Sequence, residues 1–248
     1  MASATGLSQQ PLARESYPRS EEEPLLERPG DAVVPERAGI VRGLFTKTGI
    51  LAEAGVLVLC CSIWAGVASS DVVFFSGHPI AMSTAIFILT QSVLVQQPIT
   101  SEDLDGKRRG QYLHAALNLA AFMALVTGFT TVEISVAQMK GSHFPSTHSI
   151  FGLLTLLTLV VQYVVGFTMW MTPSLYGGSD RAKSLYRYHR YGGYFILLML
   201  LSTAITATLT GYNKGVLGIQ TWIVGLGALL VVIGVFARIQ KRKLSLSA

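Results

Sequence analysis

The sequence predicts an all-α integral membrane protein, a bundle of six transmembrane helices, and two observations support this fold class. Of the 248 residues, 50% are hydrophobic and only 13% are charged, whereas about a quarter of the residues in a soluble domain are charged. Six apolar segments also reach the roughly 20 residues that a helix needs to cross a hydrocarbon core of ~30 Å. The predicted spans are 49–70, 78–97, 111–132, 148–171, 188–211 and 216–237.

The distribution of positive charge predicts the orientation of this bundle. Seventeen of the 19 Lys and Arg residues lie before the first span, after the last span, or in the loops that follow spans two and four, with Arg190 counted at the start of span five. The alternate loops contain only Lys140 and Lys214. This positive-inside bias places both termini in the cytosol, and it explains the net charge of +5 without nucleic acid as a partner.

The chain divides into three regions. Residues 1–44 are rich in Pro, Glu, Ser and Arg and lack the apolar core of a signal peptide, so they are predicted to be a disordered cytosolic tail. Residues 45–240 hold the spans, and residues 241–248 form a short cytosolic C-terminal end. The tail contains Glu21-Glu-Glu-Pro-Leu25-Leu26, which is similar to acidic dileucine signals. Such a signal favours a vacuolar, lysosomal, endosomal or other endomembrane location over the plasma membrane.

Four of the five histidines lie within the first residues of consecutive spans: His78, His114, His148 and His189. Because successive spans run in opposite directions, His78 and His148 are predicted at the outer depth, and His114 and His189 at the cytosolic depth. Each depth then has two imidazoles on two different helices, the arrangement that a haem with two axial imidazoles requires. An ionisable side chain is costly to bury in a membrane, and coordination to iron removes that cost.

Glycines near these histidines favour a flat ligand. Gly152 and Gly193 follow the histidines of spans four and five by one helical turn on the same face. Gly166 lies five turns from His148 on its face, and Gly128 lies near the face of the third-span histidine. These glycines are predicted to leave room for a porphyrin. Close packing of membrane helices is the alternative explanation for them.

Two other polar residues lie inside predicted spans. Asn118 is one turn from His114 and is expected to bond the imidazole, a haem propionate or a neighbouring helix. Glu53 is near the cytosolic end of span one, where its side chain is expected to reach the membrane interface.

Other interpretations of the histidines stay open from the residues alone. Histidines near helix ends are tolerated when their side chains reach the headgroups, which would suit a six-span transporter or scaffold without haem. However, the broken helices and mid-membrane charges that are typical of transporters are not visible in the sequence. A single iron or copper site at each depth would need three or four ligands, and no carboxylate or thiol lies at the right depth.

Four motifs surround the predicted ligands. They are His78-Pro79-Ile-Ala-Met82, the basic stretch Lys107-Arg108-Arg109 before His114, His143-Phe-Pro-Ser-Thr-His148-Ser with Gly152, and Leu185-Tyr-Arg-Tyr-His189 with Gly193. This ordered set resembles the cytochrome b561 family in its short animal and fungal form, over about residues 45–240. The resemblance implies a homodimer whose spans two to five hold two haems b, each ligated by the pair of histidines at one depth.

The resemblance also implies an activity. Members of this family transfer electrons across the membrane, which here would run from cytosolic ascorbate to monodehydroascorbate or a ferric chelate on the extracellular or lumenal side. The protein would supply orientation and redox potential, and the haems would carry the electrons. An oxidase-type ferric reductase is a poorer match, because it would place two histidines on one helix and add flavin and nicotinamide domains.

Substrate contacts are predicted at both depths. Anionic ascorbate needs cations near the haem edge, and the predicted cytosolic contacts are Lys107, Arg108, Arg109 and Arg187. The predicted outer contacts with the acceptor are Lys140 and His143. The positive-inside rule gives no reason for either outer residue, and His143 matches a position at which short family members carry a histidine implicated in acceptor binding. Topology alone also explains a basic cytosolic loop, and a solvated loop residue is the alternative for His143.

Overall fold

The computed structural model describes residues 43–99 and 104–240, with side chains from residue 106 onward in the second range. These residues contain helices, turns and no β-strand, as the predicted fold class requires. The predicted disordered tail lies outside the described residues except for positions 43 and 44. Its dileucine motif and the predicted C-terminal end lie entirely outside them.

Among the described residues, six α-helices of 16 residues or more follow one another along the chain. Their bounds are α1 Gly49–Ala68, α2 Gly77–Leu94, α3 Leu104–Gln138, α4 Thr147–Met171, α5 Ser179–Ala207 and α6 Thr221–Phe236. A short 3₁₀ turn, Phe74–Ser76, leads into α2, and a second one, Pro173–Tyr176, separates α4 from α5. A single π turn, Asn213–Leu217, lies between α5 and α6.

Five of these helices, α1 to α5, are long and apolar enough to cross a membrane. The sixth helix is apolar but has only 16 residues, or about 24 Å of helix. Helices α3 and α5 begin earlier than predicted, at Leu104 and Ser179. The added turns are rich in Lys and Arg, which stop an apolar span but are good helix formers, so the helices continue beyond the hydrocarbon layer.

Helix α1 packs most closely on α6, and small residues allow this approach. A Cβ added to Gly55 would lie 2.6 Å from the carbonyl oxygen of Gly227, and the reverse distance is 2.8 Å. The backbones of the two helices are therefore in direct contact, a packing that is common where lipid surrounds a helix pair. Val56, Leu59 and Val231 are fully buried in this contact region.

The other close helix pairs are α2 with α3 and α4 with α5. Each pair joins one helix that carries a predicted outer histidine to one that carries a predicted cytosolic histidine. The histidines therefore come from two helix pairs that stand opposite each other in the bundle. The end that carries the basic starts of α3 and α5 is named the basic end below, and the other is named the opposite end.

Candidate functional site: two pairs of facing histidines

The first histidine pair lies at the opposite end of the bundle. His78 of α2 and His148 of α4 face each other with ring centroids 6.2 Å apart and ring planes at 82°. Pro79 stands in the first turn of α2, where its missing N–H is not needed. The Ser146 hydroxyl accepts a hydrogen bond from the Ser149 backbone N–H and starts α4. Both helices therefore begin at the level of their histidine.

The second pair repeats this geometry at the basic end. His114 of α3 and His189 of α5 have ring centroids 6.4 Å apart and ring planes at 81°. The structure thus brings together the two histidines that the sequence predicts at each depth. It does so on helices that are not neighbours in sequence, with α2 facing α4 and α3 facing α5.

Hydrogen bonds fix the orientation of three of the four imidazoles. The Nδ1 atoms of His78, His148 and His114 lie 2.9, 3.0 and 2.9 Å from the carbonyl oxygens of Gly128, Thr203 and Ser92. A carbonyl oxygen only accepts, so each Nδ1 carries the proton and donates it. The Nε2 atom then keeps a free lone pair, which is the form of imidazole that binds a metal.

His189 is held differently. Its Nδ1 atom is buried and has no hydrogen-bond partner among the described residues. Its backbone carbonyl accepts a hydrogen bond of 2.6 Å from the side chain of Gln162. Its ring lies against Gly166, where an added Cβ would stand 2.7 Å from Cε1. Gly166 therefore leaves room for the imidazole of His189, which belongs to the pair at the basic end.

Each pair suits the axial ligation of a haem. An imidazole nitrogen binds a transition metal at about 2 Å, and two such bonds plus the two half-rings come to about 6 Å, close to the observed spacing. In the described part of the chain, no group of three or more His, Cys, Asp or Glu is placed to hold a metal ion. Two facing imidazoles without a third ligand are the donor set that haem iron uses and that a multi-ligand metal site does not.

Comparisons with known proteins also indicate a haem protein. The sequence model of eukaryotic cytochrome b561 matches residues 77–218, which include all four paired histidines. The chain belongs to the cytochrome b561 family. This family binds haem.

Curated relatives carry related names. The chain is 29% identical over 144 residues to the lysosomal membrane ascorbate-dependent ferrireductase CYB561A3 of Rattus norvegicus, covering 58% of this chain and 54% of the relative. It is 31% identical over 143 residues to the transmembrane ascorbate-dependent reductase CYB561 of Mus musculus, with 56% and 54% covered. The human protein of that second name is 30% identical over 143 residues, with the same coverage. The match therefore spans about half the length of each relative.

A hydroxyl group that the sequence analysis did not single out supports His114 in this family member. The Ser92 Oγ atom lies 2.7 Å from Nδ1 of His114 and accepts a hydrogen bond of 2.6 Å from Asn118. Asn118 also donates to the carbonyl oxygen of His114 at 2.7 Å. Of the three expectations for Asn118, the helix–helix hydrogen bond is the one observed. Ser92 gave no signal in the sequence because serine is common in membrane helices.

The predicted ascorbate contacts lie at the basic end. Lys107, Arg108 and Arg109 are exposed on the first turns of α3, and the Arg108 guanidinium lies 5.8 Å from the centre of the Tyr112 ring. The Arg187 guanidinium stacks at 4.8 Å over Tyr188 and donates a hydrogen bond of 3.1 Å to its hydroxyl. All four predicted cations therefore lie at the basic end, in the helical turns that precede His114 and His189.

A cavity of about 280 Å³ opens beside His189. It is formed by α4, α5 and the second 3₁₀ turn, and its polar lining comes from Gln162, Tyr176 and Tyr188 together with the imidazole. The hydroxyl of Tyr176 is fixed by a 2.8 Å hydrogen bond to Thr168. The Arg187 guanidinium covers Tyr188, so a cation stands at the edge of this cavity.

The predicted outer residues lie at the opposite end, in the loop between α3 and α4. The Nδ1 atom of His143 lies 3.2 Å from a carboxylate oxygen of Glu133, and both side chains are partly exposed. Lys140 is exposed and has a left-handed backbone with φ of 49°. The contact with Glu133 has no sign in the sequence, because nothing there shows which way the loop folds back on α3.

The expectation for Glu53 was wrong. This side chain does not reach the interface, since its relative exposure is 6%. It accepts a hydrogen bond of 2.8 Å from Gln91 of α2. The close contact of α1 with its neighbours covers the carboxyl group, and hydropathy along one segment contains no information on that contact.

Proposed function

We propose that this protein is a transmembrane oxidoreductase that carries electrons from ascorbate at the basic end to an acceptor at the opposite end. The observation that carries this proposal is the repetition of one geometry at two levels, with imidazole centroids 6.2 and 6.4 Å apart. The relatives named ascorbate-dependent reductases and ferrireductase support the reaction class.

The four histidines would hold two haems b, one between His78 and His148 and the other between His114 and His189. Each bound haem would supply a one-electron redox couple at its level. The chain contributes fixed positions for the ligands, because carbonyl oxygens of neighbouring helices hold three of the imidazoles. Ser92, which contacts His114, follows His78 by 14 residues, so the two levels stand roughly 21 Å apart along α2.

This separation corresponds to most of a hydrocarbon core of ~30 Å. In the proposed topology, α6 is a sixth span, both termini are cytosolic and the basic end faces the cytosol, in agreement with the positive-inside bias. Clustered cations at that end raise the local concentration of an anionic donor such as ascorbate.

The cavity beside His189 is the proposed site for ascorbate. Its volume is at the lower limit of ligand pockets, which suits a small molecule. Gln162, Tyr176 and Tyr188 offer hydrogen bonds to the hydroxyl groups of such a donor, and Arg187 offers charge. Lys107, Arg108 and Arg109 would guide ascorbate to this end rather than line the cavity.

At the opposite end, Lys140 and His143 are the proposed contacts for the acceptor, either monodehydroascorbate or a ferric chelate. The contact of His143 with Glu133 joins this loop imidazole to α3. We also propose a homodimer in an endomembrane compartment. The dileucine motif of the tail supports this location, as does the lysosomal name of one relative.

The test of this function is the visible spectrum of the purified full-length protein. We expect a reduced-minus-oxidised difference spectrum of b type, two haems per chain, and reduction of most of the haem by ascorbate. His143→Ala is the matched control, because this histidine is outside both pairs and its loss should leave the haem content unchanged. A protein without a b-type signal would disprove the proposal and favour a transporter or scaffold.

A further inference from the structure

The carboxyl group of Glu53 is a buried ionisable group outside both histidine pairs. Its side chain lies in the second turn of α1, and only 6% of the residue surface is exposed. The Oε2 atom accepts one hydrogen bond, of 2.8 Å, from Gln91. The Oε1 atom is buried and has no hydrogen-bond partner among the described residues. One oxygen of this carboxyl group is therefore free to bind a proton.

The charges around Glu53 compensate it only in part. Helix α1 packs against α2 and α6, and the charged group that faces Glu53 from these elements is Arg238, just after α6. The Arg238 side chain is 1% exposed, and its guanidinium donates to backbone carbonyls before α1, including that of Gly43 at 2.8 Å. Among the described residues, no cation forms an ion pair with the Glu53 carboxyl group.

Glu53 lies at the same level as the histidine pair of the basic end. Its hydrogen-bond donor, Gln91, is followed directly by Ser92, whose hydroxyl and carbonyl oxygens lie 2.7 and 2.9 Å from Nδ1 of His114. Two consecutive residues of α2 thus contact the carboxyl group on one side and the imidazole on the other. A charge on the carboxyl group therefore interacts with a charge at the imidazole through protein rather than through water. Electrostatic interactions are stronger in protein than in water.

We propose that Glu53 is a proton-binding site coupled to the electron at the His114 and His189 level. This inference rests on the function proposed above. When one electron from ascorbate reaches this level, Glu53 takes up one proton from cytosolic water, an O–H bond forms at Oε1, and the local charge stays constant. When the electron leaves, Glu53 releases the proton. The coupling is reciprocal, so a protonated Glu53 also favours the reduced state.

Infrared difference spectroscopy of the full-length protein is the direct test. Reduction of the wild-type protein should produce the C=O band of a protonated carboxyl group, and Glu53→Gln should abolish this band. Glu133→Gln is the matched control, because Glu133 pairs with His143 at the opposite end. If the band persists in Glu53→Gln, or disappears only in Glu133→Gln, the proposal is wrong.

A redox titration gives an independent measurement. The midpoint potential of the basic-end haem should fall as pH rises in the wild type, and this dependence should flatten in Glu53→Gln while the other haem keeps its behaviour. An unchanged pH dependence would contradict the coupling.

If Glu53→Gln does not assemble, Gln91→Leu should move the carboxyl band in the infrared spectrum, and an unmoved band would exclude Glu53. Failure of the function itself would show separately, as a wild-type protein without haem.

Discussion

The two histidine pairs have nearly the same distance between ring centroids, but their hydrogen-bond partners differ. At the opposite end, both imidazoles bond to backbone carbonyl oxygens, those of Gly128 and Thr203. At the basic end, His114 is supported by the side chain of Ser92 as well as by a carbonyl, and Nδ1 of His189 has no described partner. A substitution leaves a backbone carbonyl oxygen in place but can remove a side-chain hydroxyl group. The hydrogen bonds to the imidazoles can therefore be changed by mutation more readily at the basic end.

The two ends also differ in the charged groups that lie near the histidines. The basic end has exposed cations on α3 and α5, a cavity beside one ligand and the buried carboxyl group of Glu53. At the opposite end, the described residues include the contact between His143 and Glu133. We therefore propose that donor binding and proton binding belong to one end, and the following predictions test this division from the largest effect to the smallest.

Substitution of one histidine in each pair should have the largest effect, which is a loss of haem. We expect His148→Ala and His189→Ala each to lower the haem-to-protein ratio by about half, because one axial imidazole cannot retain a haem that was held by two. The measurement is pyridine haemochrome content per chain. A variant that keeps both haems would contradict the pairing, and the spectra of the two variants should add up to that of the wild type.

A side chain at position 166 should affect only the basic end. Gly166→Val would place a Cβ 2.7 Å from the His189 ring, so we expect loss of most of the haem at this level and little change at the other. Gly225→Val in α6 is the matched control, since no neighbouring atom lies within 4 Å of a Cβ added there. Equal loss in the two variants would show that helix packing, rather than the imidazole, is disturbed.

Removal of the Ser92 hydroxyl should weaken one ligand without removing it. The carbonyl oxygen of Ser92 remains, so we expect Ser92→Ala to speed the loss of the basic-end haem by about tenfold, the lower range for a lost outer-shell hydrogen bond. The rate is measured by transfer to an excess of an external haem-binding protein. Thr158→Ala, whose hydroxyl bonds only its own helix, should not change the rate.

Loss of one exposed cation should have the smallest effect. We expect Arg187→Gln to raise the KM for ascorbate about threefold to tenfold at low salt and less at high salt, because exposed charges are screened. Arg187→Lys should keep most of the affinity. Lys140→Gln, at the opposite end, should leave this KM unchanged. An equal rise in both Gln variants would mean that net charge, and not the position of Arg187, attracts the donor.

Much of the architecture follows from local sequence. Apolar segments near 20 residues long predict membrane helices, and the alternation of direction sorts four histidines into two levels before any contact is known. Pro79 and Ser146 mark the starts of two helices within one or two residues of His78 and His148. These properties depend on hydropathy, charge and helix geometry, each of which is determined by residues close together in the chain.

Only the tertiary structure decided which groups contact these elements. The supports of the imidazoles come from other helices, such as the carbonyl oxygen of Gly128 for His78 and that of Thr203 for His148. A carbonyl group has no signature in a sequence, because every residue carries one. The burial of Glu53 depends on the close approach of α1 and its neighbours, which removes water from a carboxyl group that local hydropathy places at the membrane surface.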